Sequence, residues 1–259
     1  MPKIAISGKG GVGKTTLAGM LALQYAAEGV PVLAIDADPD ANLASALGVP
    51  PELAERIAPI AEMEDLIEER TGARPGSSGA YFRLNPRVDD LPERFALQFR
   101  GVRLMVMGTV DRGGSGCVCP ENVLLKALIT HLLLRPDETL ILDMEAGVEH
   151  LGRGTAGNVD AMIVVVEPGQ RSVQTAHHVA RLAEDLGIRR CLVVGNKVRD
   201  ERDRQFIRER VAPLPVLGFI SYNAAVSEAD LAGRSAYGAD PVLDAEVQEI
   251  RRRLDELSR

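Results

Sequence analysis

Short apolar runs alternate with amphipathic segments along most of this chain, a pattern typical of strands followed by helices. Apolar runs predict strands at 3–7, 30–35, 102–107, 139–143, 160–166, 190–195 and 215–220. Helical spacing of apolar residues predicts helices at 15–27, 60–71, 120–134, 172–186 and 240–257. Strands that alternate with helices predict an α/β fold, a mostly parallel twisted sheet covered by helices on both faces.

Residues 49–100 are the least regular stretch, because Gly and Pro cluster at 72–79 and Pro interrupts the segments at 86–92. We interpret 49–100 as an insertion or cover. No change in composition marks a linker, so we expect 1–259 to form a single domain.

Composition narrows the possible environments and partners. Hydrophobic residues make up 46% of the chain, yet no apolar run approaches the length needed to cross a bilayer. The start lacks the series of charged, apolar and small residues of a signal peptide, so a soluble, cytoplasmic protein is expected. A net charge of -7 argues against a nucleic-acid binder that depends on bulk charge.

A phosphate-binding loop follows the first predicted strand. Residues 8–15 match the pattern G-x-x-x-x-G-K-[ST], with Gly8 and Gly13 as its fixed glycines. Lys14 is expected to reach the β and γ phosphates and the Thr15 hydroxyl to bind Mg²⁺. A P-loop NTPase is therefore predicted. Its expected nucleotide contacts in this loop are Gly8, Lys9, Gly10, Gly11, Val12, Gly13, Lys14, Thr15 and Thr16.

Acidic residues at strand ends complete the predicted ATP and Mg²⁺ site. Asp143 ends the apolar strand 139–143, the form that a second Mg²⁺-holding acid takes in P-loop proteins. Asp38 follows strand 30–35 and would orient the attacking water. The predicted Mg²⁺ ligands are Thr15, Asp38 and Asp143. A backbone N–H at Gly147 would contact the γ-phosphate, making 145–157 a segment that senses hydrolysis to ADP.

The pair Asn196-Lys197 follows strand 190–195, where many P-loop proteins contact the base. A guanine-reading Asn-Lys-x-Asp motif requires Asp at 199, and this chain has Arg199. ATP is therefore favoured, with the Asn196 amide touching adenine, Lys197 beside it, and residues 215–220 forming a wall for the ring.

Cys117 and Cys119 stand two apart between a Gly-rich stretch and Pro120. A disulfide would close a small strained ring, whereas thiolates at a helix start suit Zn²⁺, Ni²⁺ or Cu⁺. A pair leaves a tetrahedral site incomplete, and a two-fold dimer axis would supply the remaining thiolates. The alternative is that Cys117 and Cys119 are two small hydrophobic residues that happen to be neighbours. Cys191, inside a predicted strand, is expected to be a core residue of this kind.

The lysine at the second loop position, Lys9, resembles that of the deviant Walker A motif in the MinD, ParA and nitrogenase iron-protein ATPases. Asp-x-Asp-Pro at 36–39 and Asp-x-x-Ala-Gly at 143–147 are similar to the same family. The resemblance implies that Lys9 reaches across a nucleotide-sandwich homodimer to the partner's phosphates, in the manner of an arginine finger. With Lys14 and Asp38 from the loop and the strand end, Lys9 completes the predicted catalytic residues.

The segments 105–110, 113–122 and 142–155 resemble a narrower group, the CooC-type maturation ATPases. These help to insert nickel into carbon monoxide dehydrogenase, and relatives serve acetyl-CoA synthase. The resemblance implies an ATP-hydrolysing homodimer that binds Ni²⁺ or Zn²⁺ at Cys117 and Cys119 of both chains. Its implied client is a metalloenzyme, carbon monoxide dehydrogenase.

Two alternative classes share the same nucleotide cycle. A positioning or partition ATPase would act on a membrane or DNA, but membrane-targeting relatives end in a basic amphipathic helix, and 240–259 mixes acids with its arginines. An electron-transfer iron–sulfur ATPase would need well-separated cysteines at the dimer axis rather than a close pair. We therefore expect neither stable membrane association nor nucleic-acid binding.

Overall fold

The computed structural model describes residues 1–75, 81–108, 119–148, 151 and 156–257. Within them an eight-stranded sheet has the order β3-β4-β2-β5-β1-β6-β7-β8. Every pairing is parallel except the antiparallel pair of β3 and β4. The strands are β1 Lys3–Gly8, β2 Val32–Ala37, β3 Leu97–Phe99, β4 Val102–Val106, β5 Thr139–Met144, β6 Ala161–Val166, β7 Cys191–Val198 and β8 Val216–Ser221.

Helices cover both faces of the sheet. They are α1 Lys14–Ala27, α2 Leu43–Leu47, α3 Pro51–Ala54, α4 Glu64–Thr71, α5 Leu91–Phe95, α6 Pro120–Leu134, α7 Gln170–Leu186, α8 Glu201–Val211, α9 Ala224–Leu231 and α10 Pro241–Leu257. Short 3-10 helices lie at Ile60–Glu62 and Ala156–Asn158. The predicted α/β fold with a mostly parallel sheet is confirmed.

The central strand β1 explains the two-sided core. Its six residues are all buried, as expected for a parallel strand with helices on both faces. Ile4 and Ile6 contact the apolar cluster of α1, α2 and α10, whereas Ala5 contacts the cluster of α4, α6 and α7. Because alternate residues of a strand face opposite sides, one run of apolar residues serves both layers.

Residues 49–100 contain more regular structure than the sequence indicated. The predicted helix at 60–71 is divided into the 3-10 helix Ile60–Glu62 and α4, and α3, α5 and β3 were not predicted. Ile60, Ile67 and Leu91 are buried, and α4 packs against α6. Residues 60–91 therefore pack on the face of the sheet that α6 covers, whereas residues 49–57 contact the cluster of α1, α2 and α10 on the other face, and β3 extends the sheet at its edge. The division of the chain into domains stays a prediction.

Two strand boundaries differ from expectation where they affect the site. The second strand begins at Val32 rather than 30 and continues through Asp36 to Ala37. Strand β7 does not end at Gly195 but continues to Val198, with an irregular register between these residues. Asn196 and Lys197 consequently lie within the strand rather than after it.

Candidate nucleotide site

The phosphate loop joins the carboxyl end of β1 to the N-terminus of α1. Close packing explains its fixed glycines: a Cβ on Gly8 would lie 2.6 Å from the Val165 carbonyl oxygen, and one on Gly13 would lie 2.3 Å from the Asn196 amide nitrogen. Gly13 also has a left-handed φ of 96°. A helix N-terminus carries free N–H groups and a partial positive charge, so this loop is suited to an anion.

Lys14 occupies the first turn of α1 and is buried. Its ammonium lies 3.7 Å from the Asp38 carboxylate, and their side chains are only 7% and 15% exposed. Asp38 immediately follows β2, so the structure brings these two predicted catalytic residues together. An incoming phosphate would compete with Asp38 for the ammonium, leaving that carboxylate available to a water or a metal ion.

Asp143 is the best candidate in the site for a metal ligand. It pairs in register with Ile6 of β1 and Asp36 of β2, which places it between the strands that lead to the loop and to Asp38. Its side chain is fully buried, and neither carboxylate oxygen has a hydrogen-bond partner. Buried acceptors without partners are costly unless a ligand satisfies them.

Burial raises the pKa of Asp143 to about 7, the negative charge of Asp36 acts in the same direction, and Thr15 and Lys14 oppose the rise. A divalent cation would remove this penalty by supplying the missing positive charge. Hard oxygen donors are the donor type that Mg²⁺ prefers. Asp143 with the neighbouring Thr15 hydroxyl therefore fits Mg²⁺, and Asp38 completes the donor set predicted from the sequence.

Asp36 has a structural role in the same cluster. Its carboxylate accepts hydrogen bonds from the backbone N–H groups of Leu43, at 2.8 Å, and Asp38, at 3.2 Å. Burial raises its pKa to about 6, although these N–H donors act to lower it. Asp36 thus ties the end of β2 to the start of α2 and fixes the position of Asp38.

The turn after β5 is held against the phosphate loop's own strand. The buried Ser7 hydroxyl donates to the Glu145 carbonyl at 2.6 Å and lies 3.4 Å from the Gly147 carbonyl. Glu145 and Ala146 line the cavity beside the loop. The proposed γ-phosphate contact of Gly147 stays a prediction, and residues 149, 150 and 152–155 of the predicted sensing segment lie outside the described residues.

A cavity of about 580 Å³ opens beside the phosphate loop. Residues of the predicted phosphate loop line one end of this cavity, and α9 with the following loop supplies the opposite wall, which the sequence did not predict. The residues from that wall are Val226, Ser227, Asp230, Arg234 and Ala236. No local motif marks them, because α9 is a short helix of mixed polarity that lies far along the chain from the loop it faces.

Asn196 and Lys197 contact the loop itself rather than the cavity. The Asn196 amide donates to the Val12 carbonyl at 2.7 Å, and the Lys197 ammonium donates to the Gly11 carbonyl at 2.6 Å. The wall of the cavity beside the loop is formed by α9 rather than by 215–220. A contact between Asn196 and adenine stays a prediction, but the structure gives this amide a different partner.

Lys9 is partly exposed at the start of the loop and forms no ion pair with another described residue.

Cys119 immediately precedes α6 and is partly buried, whereas Cys117 lies outside the described residues. Among the described residues, no three or more His, Cys, Asp or Glu side chains are grouped so that they could hold a metal ion. Cys191 packs against the core, as expected, and burial raises its pKa to about 11.

The site and fold define a P-loop nucleotide-binding protein, and comparison with known proteins identifies its class. Residues 3–236 match the model of the CobQ/CobB/MinD/ParA nucleotide-binding domain, so the chain belongs to this family of ATP-binding P-loop NTPases. It is 50% identical over 239 residues to the carbon monoxide dehydrogenase accessory protein CooC of Rhodospirillum rubrum, covering 92% of this chain and 90% of that protein. The resemblance to the CooC-type group is thereby confirmed.

Other relatives agree with this assignment. An uncharacterised ATP-binding protein of Methanocaldococcus jannaschii is 46% identical over 90% of both chains. The cell-division protein MinD of Aquifex aeolicus, in its complex with MinC, has the same fold, with a TM-score of 0.70 at 21% identity over 99% of this chain and 96% of that one. No helix among the described residues has the length and apolarity needed to cross a membrane.

Proposed function

We propose that this chain is an ATP-hydrolysing maturation factor that assists nickel insertion into carbon monoxide dehydrogenase, or into a related enzyme such as acetyl-CoA synthase. The observation that carries the proposal is the 50% identity to CooC over nine tenths of both chains. The proposal is also supported by the cavity beside the loop, which Lys14 and Asp38 line, and by the fully buried Asp143 at the end of the neighbouring strand β5. In this proposal 1–259 forms a single cytoplasmic domain that carries both the nucleotide site and the metal-binding cysteines.

In this proposal Lys14 holds the phosphate chain and the N-terminus of α1 stabilises its charge. Thr15, Asp38 and Asp143 would hold Mg²⁺, which when bound supplies positive charge to the β and γ phosphates. Once Lys14 has moved onto phosphate, Asp38 is free to accept a hydrogen bond from the attacking water and to orient it.

The nickel or zinc ion is cargo rather than a resident cofactor. Cys117 and Cys119 of two chains would meet on a two-fold axis and complete a tetrahedral thiolate site. Cys119 stands at the start of α6, where the helix dipole favours a thiolate. Nucleotide and metal half-sites would then both depend on the same homodimer.

The arrangement of α10 does not favour the positioning ATPases as a model for function. Its apolar residues Leu243, Val247, Ile250 and Leu254 are buried and pack toward β8 and α1. Its exposed side carries paired charges, such as Arg252 with Glu249 at 2.7 Å. An interfacial helix needs a free apolar face and a basic polar face, and α10 presents neither.

The cysteine pair provides the direct test of the metal half of the proposal. We expect the double variant Cys117→Ser/Cys119→Ser to lose the ion that the wild type binds at about one per two chains, since serine is a poor ligand for soft metals. ATP hydrolysis should remain, because the phosphate loop is untouched. Metal analysis with dimer sizing, with and without Mg-ATP, measures both, and nickel-dependent activation of nickel-free carbon monoxide dehydrogenase measures the function.

Cys191→Ser is the matched control, since Cys191 lies in β7 and packs against the core. It should retain metal content and activation. Equal metal content in the wild type and the double variant would remove the cysteine site from the proposal. Failure of the wild type to activate the nickel-free enzyme would contradict the proposed function itself.

Lys9 provides the test of the dimer. We expect Lys9→Ala to abolish the ATP-dependent shift from monomer to dimer, because its positive charge would be needed only at the partner's phosphates. Affinity of the monomer for ATP should change little. Light scattering with a slowly hydrolysed ATP analogue measures the shift, with Lys126→Ala on the exposed side of α6 as control; a Lys9→Ala chain that still dimerises would contradict the proposed role.

A further inference from the structure

Two consecutive residues of β7, neither of which lines the cavity, hold the phosphate loop. Asn196 donates to the Val12 carbonyl and Lys197 to the Gly11 carbonyl, across 184 and 186 residues of sequence. Lys197 is itself held by Glu167, at 3.3 Å, just after β6. The loop is thus tied to the two strands next to β1 on this side of the sheet.

The local backbone of β7 makes this double contact possible. In a regular strand, consecutive side chains point to opposite faces, so two neighbours would not reach the same loop. Lys197 instead has a left-handed φ of 55°, and the register of β7 with β8 shifts between Gly195 and Val198. The Lys197 N–H donates to the Asn196 side-chain oxygen at 2.8 Å, which leaves the amide NH₂ to face the loop.

A non-glycine residue in this backbone conformation is unfavourable, and such positions persist only where the surroundings enforce them. Close packing on the other side of the contact agrees with this view. Only glycine fits at position 13, because a Cβ there would overlap the Asn196 amide. Both sides of the contact are therefore specialised for it.

The contacts decide where the loop's N–H groups point. In a trans peptide, a carbonyl and the N–H of the next residue point in opposite directions. When Asn196 draws the Val12 carbonyl toward β7, the Gly13 N–H is turned the other way, and Gly13 lines the cavity. When Lys197 holds the Gly11 carbonyl, it fixes the turn in which the Val12 N–H donates to the Lys9 backbone carbonyl at 3.3 Å.

We propose that Asn196 and Lys197 are positioning residues that hold the phosphate loop in its anion-binding conformation before nucleotide arrives. They act on recognition of the polyphosphate chain and not on the choice of base. The inference deepens the proposed ATPase function and rests on it only in that the loop binds nucleoside triphosphate. Preorganised N–H donors bind an anion more tightly because no ordering cost remains to be met.

The test separates recognition of phosphate from recognition of the base. Asn196→Ala and Lys197→Met each remove a donor, and methionine keeps the length of the lysine side chain. We expect KM for ATP, KM for GTP and the inhibition constant of tripolyphosphate to rise by about fivefold, each by the same factor, as for loss of one hydrogen bond that orders the loop. The ratio of ATP to GTP preference should stay unchanged.

A contact with adenine gives the opposite pattern. Asn196→Ala would then alter the preference for ATP over GTP and leave tripolyphosphate inhibition unchanged, and that result would overturn the inference. Lys126→Met, an exposed lysine on α6, is the control and should match the wild type. Thermal unfolding checks that each variant is folded.

Glu167→Gln keeps the test decisive if either substitution prevents folding. This variant leaves Asn196 and Lys197 in place but removes the carboxylate that holds Lys197. We therefore expect KM for ATP, KM for GTP and the inhibition constant of tripolyphosphate to rise by one common factor, smaller than for the other two variants. Unchanged values for all three ligands would count against the Lys197 contact. A wild-type chain that hydrolyses neither nucleotide would contradict the proposed function, which is a different outcome from variants that change base choice alone.

Discussion

Replacing Lys14 with methionine is expected to lower kcat for ATP hydrolysis by about 100- to 1,000-fold, the usual cost of removing one preorganised charge from a reacting phosphate. Lys14 is buried beside Asp38, and no other described lysine or arginine pairs with that carboxylate. Without the ammonium, Asp38 repels the incoming phosphates, so ATP affinity should fall together with kcat. Phosphate release under saturating Mg-ATP and isothermal titration measure the two effects.

Lys126→Met serves as the matched control, and the double variant Lys14→Met/Asp38→Asn removes the unpaired carboxylate. The double variant should recover part of the lost ATP affinity but none of the hydrolysis. A Lys14→Met chain that hydrolyses ATP within about threefold of the wild-type rate would exclude Lys14 as the phosphate-binding lysine.

Replacing Asp143 with asparagine is expected to stabilise the metal-free chain while it removes Mg²⁺-dependent hydrolysis. Asp143 is fully buried and burial raises its pKa to about 7, so at higher pH the folded chain holds an ionised carboxylate without a hydrogen-bond partner. An amide carries no charge, and the free energy of unfolding should rise by about 2 kcal/mol above pH 7. Because asparagine is a weaker ligand for Mg²⁺, catalysis is lost.

The pH dependence gives the sign of the effect. The native carboxyl keeps its proton up to about pH 7, whereas the unfolded one loses it near pH 4, so the native chain binds more protons between these values. Unfolding free energy of the wild type should therefore fall as pH rises from about 4 to 7, and the advantage of the variant should grow over the same range. Asp36, whose pKa is about 6, contributes in the same direction to both chains.

Urea unfolding in EDTA at several pH values makes the measurement. Asp137→Asn, on the exposed segment before β5, is a control for simple loss of charge. A variant less stable than the wild type at pH 8 would show that the neighbouring Thr15 hydroxyl, which lowers the pKa of Asp143, satisfies the carboxylate in the folded chain.

The phosphate end of the site could be predicted from sequence because it is local. Strand, loop and helix follow one another over residues 3–27, and the loop's glycines and Lys14 need no partner from elsewhere to be recognised. Asp143 was also predictable, since parallel strands bring their carboxyl ends to one edge and an acid at that edge stands out.

The opposite wall could not be predicted for the converse reason. Arg234 and α9 reach the cavity only through the path of the chain after β8, and no periodicity encodes that path. The partner of Asn196 was missed because β7 continues beyond its apolar run, and the left-handed residue at 197 leaves no mark in the sequence. Cys117 and Cys119 are recognisable as a pair, but in the proposed function their metal site needs the cysteines of two chains, which the sequence of one chain does not display.

The central position of β1 sets the order in which the molecule is made. On the ribosome the phosphate loop emerges before β5 and β6, the two strands that pair with β1 and that end at Met144 and Val166. Contacts between segments so distant in sequence form late and slowly. A nascent chain that has not yet reached Val166 lacks part or all of β6 and cannot complete the sheet on both sides of β1. Helix α9, which forms the opposite wall of the cavity, is synthesised later still. The phosphate loop is therefore made well before the sheet and the cavity wall that complete its site, so its local motif forms a nucleotide site only after most of the chain has been synthesised.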